Sequence, residues 1–456
     1  MYVRLNDEYI LRGWQGVPHV LVHPRQNAVW VLSSPQAIAA EFLDGEIDLD
    51  CVFLTGEQQE FIDKLVKEGA ALRLESPQPL RDYQRYRQSK GRRLQEIYWS
   101  ITGGCNLHCR HCYMGAPNHA YKDLDTQTCL GIIDQMAEAG VYGVSFSGGE
   151  PLTRKDFWEL TDACLERGIW LQSIYTNGML VDDAFLDKLE KRNLKPRFVI
   201  SFDGVGCHDW MRGTPGVEEK TIEAIKKVIS RGFRIQVYTT VYSGSIDALI
   251  PTYEFLKDLG IDDLRIATTM IKGEWRKENM DEVPLEKRLA VYLEMFKRYM
   301  ADGQPFEINV EAFVGCKKGG KPYVRLSRTH CTEEGLNEYC CDTMRLRPYL
   351  LPTGVLLPCP AMVDTCIEKD MPNILDTPLA EIYSRPDNAF RKLVTTRVRD
   401  VVEHHEDCKI CEHRFECGGG DLAFGITATD DPLGKYDMIC RFYKNYRAKL
   451  RELIGA

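Results

Sequence analysis

Between about Leu94 and Ala301 the chain alternates short β-rich runs with stretches of helical period, a pattern that predicts a parallel α/β fold. The strand candidates are IYWSIT ending at Thr102, VYGVSFS ending at Ser147, WLQSIYT ending at Thr176, RFVISFD ending at Asp203, RIQVYTTV ending at Val241 and LRIATT ending at Thr269. Helical stretches separate them. From Val217 to Arg231, for example, Ile222, Ile225 and Ile229 fall three and four apart on one face. Six such strands predict a partial (β/α)6 barrel over residues 94–302. Parallel α/β barrels place function at the C-terminal ends of their strands, and here each of the first four strands runs directly into a polar or glycine-rich motif.

Residues 1–80 read as a separate unit. PHVLVH and AVWVLS form a strand pair, PQAIAAEFLDGEI a helix, and TGEQQEFIDKLVKEGAALRLE a Thr-capped helix running through a Gly stop into a strand. Helices followed by a short wing predict a winged-helix-like domain. A basic, tyrosine-rich linker follows at 81–93, where Arg81, Arg85, Arg87, Lys90, Arg92 and Arg93 either touch an acidic peptide or lie on a solvated surface segment. Beyond the barrel, 303–340 is a bridging region and 341–456 a cysteine-rich C-terminal domain.

Length and charge narrow the function classes. A chain of 456 residues is long enough for two or three cores. Lys plus Arg number 58 against 67 Asp plus Glu, a net charge of -9 that argues against a general polyanion-binding surface, so no nucleic-acid partner is expected. No run of eighteen apolar residues occurs, and MYVRLNDEYILRGW lacks the basic-then-apolar pattern of a signal peptide. The expectation is a cytoplasmic protein with no membrane partner. In that compartment seventeen cysteines, ten of them after residue 315, read as metal ligands rather than disulfides.

The densest chemistry follows the first strand. In TGGCNLHCRHCYMG, Cys105, Cys109 and Cys112 form a CxxxCxxC triad followed by an aromatic. A four-iron cube takes four ligands, so a triad leaves one iron open to a substrate or cofactor; a structural zinc loop or reduced thiols is the simpler alternative. After the second strand comes SGGEP, where Gly148 and Gly149 permit close backbone approach and Glu150 can accept from an ammonium. After the third strand TNG makes a tight turn, and after the fourth SFDG sets Ser201 and Asp203 two residues apart, able to bond a ribose diol.

Taken in order at successive strand ends, these motifs resemble the radical S-adenosylmethionine (SAM) superfamily. The resemblance implies that SAM fills the open iron through its amino and carboxylate groups and is cleaved reductively to a 5′-deoxyadenosyl radical. It also implies that SGGEP holds the SAM amino group and that Tyr113 lies beside the adenine. CHDWMRG, Cys207 to Gly213, is similar to an HDxxRG stretch of peptide-modifying members. There Arg212 either pairs with a carboxylate of SAM or substrate through its planar fork, or caps a loop through backbone carbonyls.

A second cysteine framework occupies the C-terminal third. Cys341, Gly354 and Cys359 are followed by Cys408, Cys411, Cys417 and Cys440 in a spacing that resembles the SPASM extension of radical SAM maturases. Zinc ribbons use similar pairs. The SPASM resemblance implies two auxiliary 4Fe-4S clusters, three clusters in all. Cys408, Cys411, Cys417 and Cys440 would hold the outer one, and Cys341 and Cys359 the inner one. Cys331 is the favoured third inner ligand over Cys340, since adjacent cysteines rarely both ligate one cluster. Where the family expects a further cysteine this chain has Asp421. Three readings follow: Asp421 is a ligand, Cys366 substitutes, or the inner cluster keeps an open iron.

The reaction expected is modification of a ribosomal precursor peptide by a radical SAM enzyme, with an external electron donor such as flavodoxin or ferredoxin. The N-terminal unit resembles a RiPP recognition element in order and size, and would then bind the precursor's leader as an added edge strand; otherwise it covers one end of the barrel. Auxiliary clusters favour a cross-link, thioether, carbon-carbon or carbon-oxygen, because bond formation from a radical releases an electron. An epimerase using Cys366 or Cys316 as hydrogen donor is an alternative, as is a SPASM enzyme acting on a tetrapyrrole or other cofactor precursor. A non-catalytic iron-sulfur carrier would have no need of SGGEP or SFDG. A sulfatase-maturase-like oxidase is disfavoured, because Pro360 stands where those enzymes carry Asp.

Overall fold

The computed structural model describes residues 1–324 and 331–455. Its N-terminal unit contains β1 (Tyr2–Leu5), β2 (Ile10–Gln15), β3 (Val17–His23), β4 (Ala28–Val31), β5 (Asp44–Asp48), β6 (Ala71–Leu74) and β7 (Arg87–Arg92). They make a three-stranded sheet in the order β5-β1-β6 and a four-stranded sheet in the order β4-β3-β2-β7. Two helices, Ser34–Glu41 and Gly56–Lys67, each open on a capping box, from Ser33 with Gln36 and from Thr55 with Gln58. The helix expected to run through DGEI stops at Glu41. Gly45 sits at φ 76° with no room for a side chain, since a Cβ there would stand 2.0 Å from the Gln78 carbonyl, and Asp44–Asp48 pairs with β1 as a strand instead.

The expected solvated linker is structured. Its residues 87–92 are β7, parallel to β2, and Gly91 packs where a Cβ would lie 3.2 Å from the Ala380 carbonyl of the C-terminal domain. Tyr83 and Gln84 are buried. Basic composition misled here because the arginines occupy only the outward positions of a strand whose Ser89 and Gly91 face in.

All six expected barrel strands are present: β8 (Glu96–Thr102), β9 (Gly143–Gly148), β10 (Trp170–Thr176), β11 (Arg197–Ser201), β12 (Ile235–Val241) and β13 (Asp263–Thr268). They are parallel and bonded in chain order. The sheet extends further at both edges. Beyond β13 it adds β14 (Glu307–Val310), β15 (Val314–Cys316) and β16 (Tyr323–Val324); beyond β8 it adds β17 (Tyr349–Leu350) and β18 (Leu356–Leu357). These additions come from the bridging region and the C-terminal domain, and most are too short to leave a periodic signature.

Alternation along the strands separates two environments. Ile97, Trp99, Ile101, Val144, Phe146, Ile174, Phe198, Ile200, Ile235, Val237, Leu264 and Ile266 are buried in one continuous core against the surrounding helices. The intervening positions face the lumen, and apart from Val199 and Ala267 most of them are polar or aromatic. Ser145 bonds Glu96, Tyr98 stacks on Tyr175 at 4.4 Å, Gln236 donates to Asp263 at 2.7 Å, and Arg265 lies over the Tyr238 ring at 5.6 Å. A closed barrel fills its interior with branched aliphatic side chains; this lumen is built to stay open.

The N-terminal unit covers the opposite end from the strand C-termini. Trp14, fully buried, donates from Nε1 to the Ala139 carbonyl at 3.1 Å, Gln172 donates to the Pro24 carbonyl at 2.7 Å, and Arg25 lies over Trp170 at 4.4 Å. These contacts fall on residues just before or at the start of β9 and β10. Trp14→Ala should loosen this docking by roughly 3–5 kcal/mol. The expected readout is faster limited proteolysis between residues 76 and 96, with iron content unchanged.

Candidate active site

The loop after β8 brings the three triad cysteines to the barrel mouth, half-buried, and surrounds their sulfurs with donors. Leu107 N points to Cys105 Sγ at 3.4 Å, Ala116 N to Cys112 Sγ at 3.3 Å and Arg212 Nη1 to Cys109 Sγ at 3.6 Å. Asn177 of the TNG turn adds a contact to Cys105 Sγ at 3.9 Å. As free thiols they hold their protons, since burial pushes Cys105 up to about 12 and raises Cys109 and Cys112 as well. N–H groups aimed at sulfur suit thiolates bound to metal, which must displace those protons. His111, between two of the cysteines, is pushed down to about 4 by burial and stays neutral; its buried Nδ1 meets no partner among the described residues.

Three other loops reach this one through glycine. Gly149 N donates to the Thr102 carbonyl at 2.8 Å and Glu150 N to the Gly104 carbonyl at 2.9 Å; a Cβ on Gly149 would lie 2.0 Å from that Gly104 oxygen. Gly213 ends the helix His208–Arg212 with its Cβ position 2.4 Å from the His108 carbonyl, while Arg110 N donates to the Met211 carbonyl at 2.9 Å. Gly273, in the loop after β13, would place a Cβ 2.3 Å from the Cys112 carbonyl, which accepts from Glu274 N at 3.0 Å. The sequence reading named the first two loops and missed the third. Its signal was a lone KGE with no recognisable motif.

Glu150 is fully buried and accepts from Thr176 Oγ1 at 2.9 Å, Asn177 N at 2.7 Å and Leu152 N at 3.1 Å. Burial pushes its carboxyl up to about 7. It therefore ties the SGGEP loop to the TNG turn and can still take an ammonium.

The expected ribose-binding pair is divided. Ser201 ends β11 half-buried, but Asp203 lies beyond the strand and is turned into the protein. Its carboxylate takes a bidentate pair from Arg212, at 2.7 and 3.0 Å, and lies 3.2 Å from His208 Nδ1. Arg212 thus has little of its fork left for a ligand. It holds Asp203 with two nitrogens and Cys109 Sγ with the third, so its placement is that of a positioning group. Tyr113 is half-buried, its hydroxyl 3.3 Å from that of Tyr349, which β17 supplies.

A cavity of about 1070 Å³ lies between the β13 end of the barrel mouth and the C-terminal domain, lined by Tyr238, Arg265, Cys340, Cys341 and Asp421 among others. Cys341, Cys359 and Asp421 converge there; burial and their mutual charge push Cys359 up to about 12 and raise Cys341. Asp421 Oδ1 already accepts from Ala423 N at 2.9 Å and Phe424 N at 3.2 Å, capping the helix Leu422–Thr429. Cys331 is exposed and acts on Arg447 of the last helix, whereas Cys340 packs on the same core as Cys341 and Cys359. Cys366 points its Sγ at the Asp430 carbonyl, 3.0 Å away, and Cys316 is buried with its Sγ 3.3 Å from the Lys317 carbonyl.

Cys408, Cys411, Cys417 and Cys440 act on one another, and burial with this mutual charge pushes Cys408 up to about 11 and Cys417 up to about 12. Among the described residues no three His, Cys, Asp or Glu side chains close tightly enough for a single metal ion.

Comparison with known proteins finds a family model over part of the chain. Residues 99–256 match the Radical SAM superfamily. An AdoMet-dependent heme synthase of Methanosarcina barkeri (strain Fusaro / DSM 804) is 29% identical over 345 residues, 71% of this chain and 90% of the relative. A PqqA peptide cyclase of Granulibacter bethesdensis (strain ATCC BAA-1260 / CGDNIH1) is 25% identical over 336 residues, 73% of this chain and 83% of the relative. Among solved structures, Streptococcus suis SuiB bound to precursor peptide SuiA shares the fold with a TM-score of 0.66 at 16% identity, covering 96% of this chain and 100% of that one. No helix among the described residues is long and apolar enough to cross a membrane.

Two outcomes test the site. Gly149→Ala should displace the cysteine loop at a cost of about 1–3 kcal/mol or more, and anaerobically reconstituted protein should lose close to one cluster's worth of iron. Because burial pushes the Glu150 carboxyl up to about 7, an amine N–H bound against it favours its charged form and releases a proton. SAM affinity should therefore rise between about pH 6 and 8 and level off above; calorimetry in buffers of different ionisation enthalpy would count the proton, and a flat profile would remove Glu150 from the site. With the family match laid over the cysteine loop, SGGEP and the helix His208–Arg212, residues 99–256 form the radical SAM domain of this enzyme.

Proposed function

We propose that this enzyme is a peptide maturase that installs a cross-link in a ribosomally made precursor peptide. The observation that carries the reading is the extent of the fold likeness to SuiB. At 96% of this chain it must take in the N-terminal unit, and the SuiB structure contains a precursor peptide. A winged-helix-like unit at residues 1–80 would recognise the leader by strand addition, while the open lumen and the cavity beside it accommodate the segment to be modified.

When bound, a reduced four-iron cluster and SAM supply the one-electron chemistry that removes hydrogen from an unactivated carbon. The chain's own contribution is positional. Cys105, Cys109 and Cys112 hold that cluster as thiolates, Glu150 with Gly148 and Gly149 receives the SAM amino group, and Tyr113 flanks its adenine. Arg212, fixed by Asp203, keeps Cys109 in place, and Ser201 is left as the ribose-side donor. Outer auxiliary ligands are Cys408, Cys411, Cys417 and Cys440. Inner ones are Cys341 and Cys359, with Cys340 now a better-placed third than Cys331 and Asp421 limited to whatever its capping leaves free. A new bond formed from a carbon radical must lose an electron, and cysteine sets beside the cavity suit that task. A flavodoxin- or ferredoxin-type protein would supply the reducing electron.

A second reading is favoured by a separate observation: the heme synthase relative is matched over 90% of its length. Under it the cavity takes a tetrapyrrole. Anaerobically reconstituted protein with dithionite and SAM should form 5′-deoxyadenosine; its absence would end both readings. Co-expression with a short neighbouring open reading frame, followed by mass spectrometry, should reveal loss of two hydrogens per cross-link. An unchanged mass with inverted stereochemistry would mean epimerisation. No peptide product together with conversion of Fe-coproporphyrin III would overturn the peptide reading in favour of the tetrapyrrole.

A further inference from the structure

Among the described residues four cations line the cavity, and three are already committed. Lys272 donates to the Ala361 carbonyl and to the Val363 carbonyl at 3.1 Å, Arg276 pairs with Asp364 at 2.6 Å, and Arg345 pairs with Asp342 at 2.6 Å. Arg265 differs. It has no hydrogen bond or ion pair among the described residues, and its one specific contact is the Tyr238 ring, 5.6 Å from the guanidinium carbon.

The position of Arg265 is fixed by the sheet. It is the register partner of Tyr238 on β12 and of Asn309 on β14, so these three side chains stand side by side on the lumen face. Tyr238 restrains the guanidinium by cation–π contact and leaves the donor edge free. Arg265 lines the cavity together with Tyr238 on one side and Cys341 and Asp421 of the C-terminal domain on the other. A planar, five-donor group open to the cavity, with no acceptor among the described residues, matches one ligand chemistry best, a carboxylate taken bidentately.

We infer that Arg265 anchors a carboxylate of the substrate, with Asn309 beside it as a second donor. The inference rests on reading the cavity as the substrate site. It narrows the substrate to one bearing a carboxylate on a short flexible stem, such as an Asp or Glu side chain of a peptide or a propionate of a tetrapyrrole. Arg265 would hold that group while a neighbouring carbon faces the SAM-binding end of the lumen, which sets which carbon is presented.

The test is a binding measurement on full-length reconstituted protein with SAM present. One arm compares acetyl-Gly-Glu-Gly-amide with acetyl-Gly-Gln-Gly-amide by calorimetry; the other compares coproporphyrin III with its tetramethyl ester by the shift of the porphyrin absorbance. The native enzyme should prefer the carboxylate member of one pair by about tenfold or more. Arg265→Gln should erase that preference and Arg265→Lys keep part of it, while iron content verifies that both variants are folded. The arm that responds identifies the source of the carboxylate. A preference that survives Arg265→Gln, or no preference in either arm, overturns the inference. Neither result bears on 5′-deoxyadenosine formation, so a failure here is distinguishable from a failure of the proposed function.

Discussion

The constraint on which the rest depends is backbone crowding around the cysteine loop. Three loops from three strand ends press their glycines against its carbonyls, Gly149 on Gly104, Gly213 on His108 and Gly273 on Cys112, each at a distance where a Cβ would overlap an oxygen. Backbone contact is stiffer than side-chain contact, because it leaves no rotamer by which the partners can relax. The loop carrying Cys105, Cys109 and Cys112 has no regular hydrogen-bond ladder of its own. Here its polar groups are satisfied by its neighbours, and its geometry is set by the relative positions of β9, β11 and β13.

That arrangement makes the cluster site a property of the whole barrel. Glu150 fastens the second strand end to the third, and Arg212 ties the fourth to Cys109 through a buried pair with Asp203. Removing one partner of a buried pair leaves an unpaired charge, typically far costlier than the pair was favourable. The sixth strand end then hands the constraint to the C-terminal domain: Lys272 donates to the carbonyls of Ala361 and Val363, and Gly273 N donates to Asp364 at 3.1 Å. These residues lie a few positions beyond Cys359. The two cysteine regions are thus mechanically coupled through one short loop.

The lumen follows from the same strands seen from their other face. Outward positions supply the aliphatic core that makes the sheet stable, and inward positions are left free to be Ser, Tyr, Gln and Arg. The extra strands at both edges widen the lumen instead of closing it, and β17 brings Tyr349 against both Tyr98 and Tyr113. The N-terminal unit covers the far end, so access is through the mouth, where the cavity and the C-terminal cysteines lie.

Much of this was legible in the chain itself. Alternation over five to seven residues fixed all six barrel strands nearly to the residue, and the spacing of Cys105, Cys109 and Cys112 with SGGEP identified the chemistry, because both signals are local in sequence. What long-range contact decides was not legible. The linker became β7 because β2 was there to pair with it; Asp203 is engaged because Arg212, nine residues on, folded back onto it; Asp421 caps a helix because the N–H groups of Ala423 and Phe424 lie within its reach. The loop at Gly273 and the free fork of Arg265 carry no motif at all. Sequence determined which residues could do the chemistry, whereas only the tertiary structure decided which side chains were already engaged, since a partner's proximity depends on packing between elements and not on spacing along the chain.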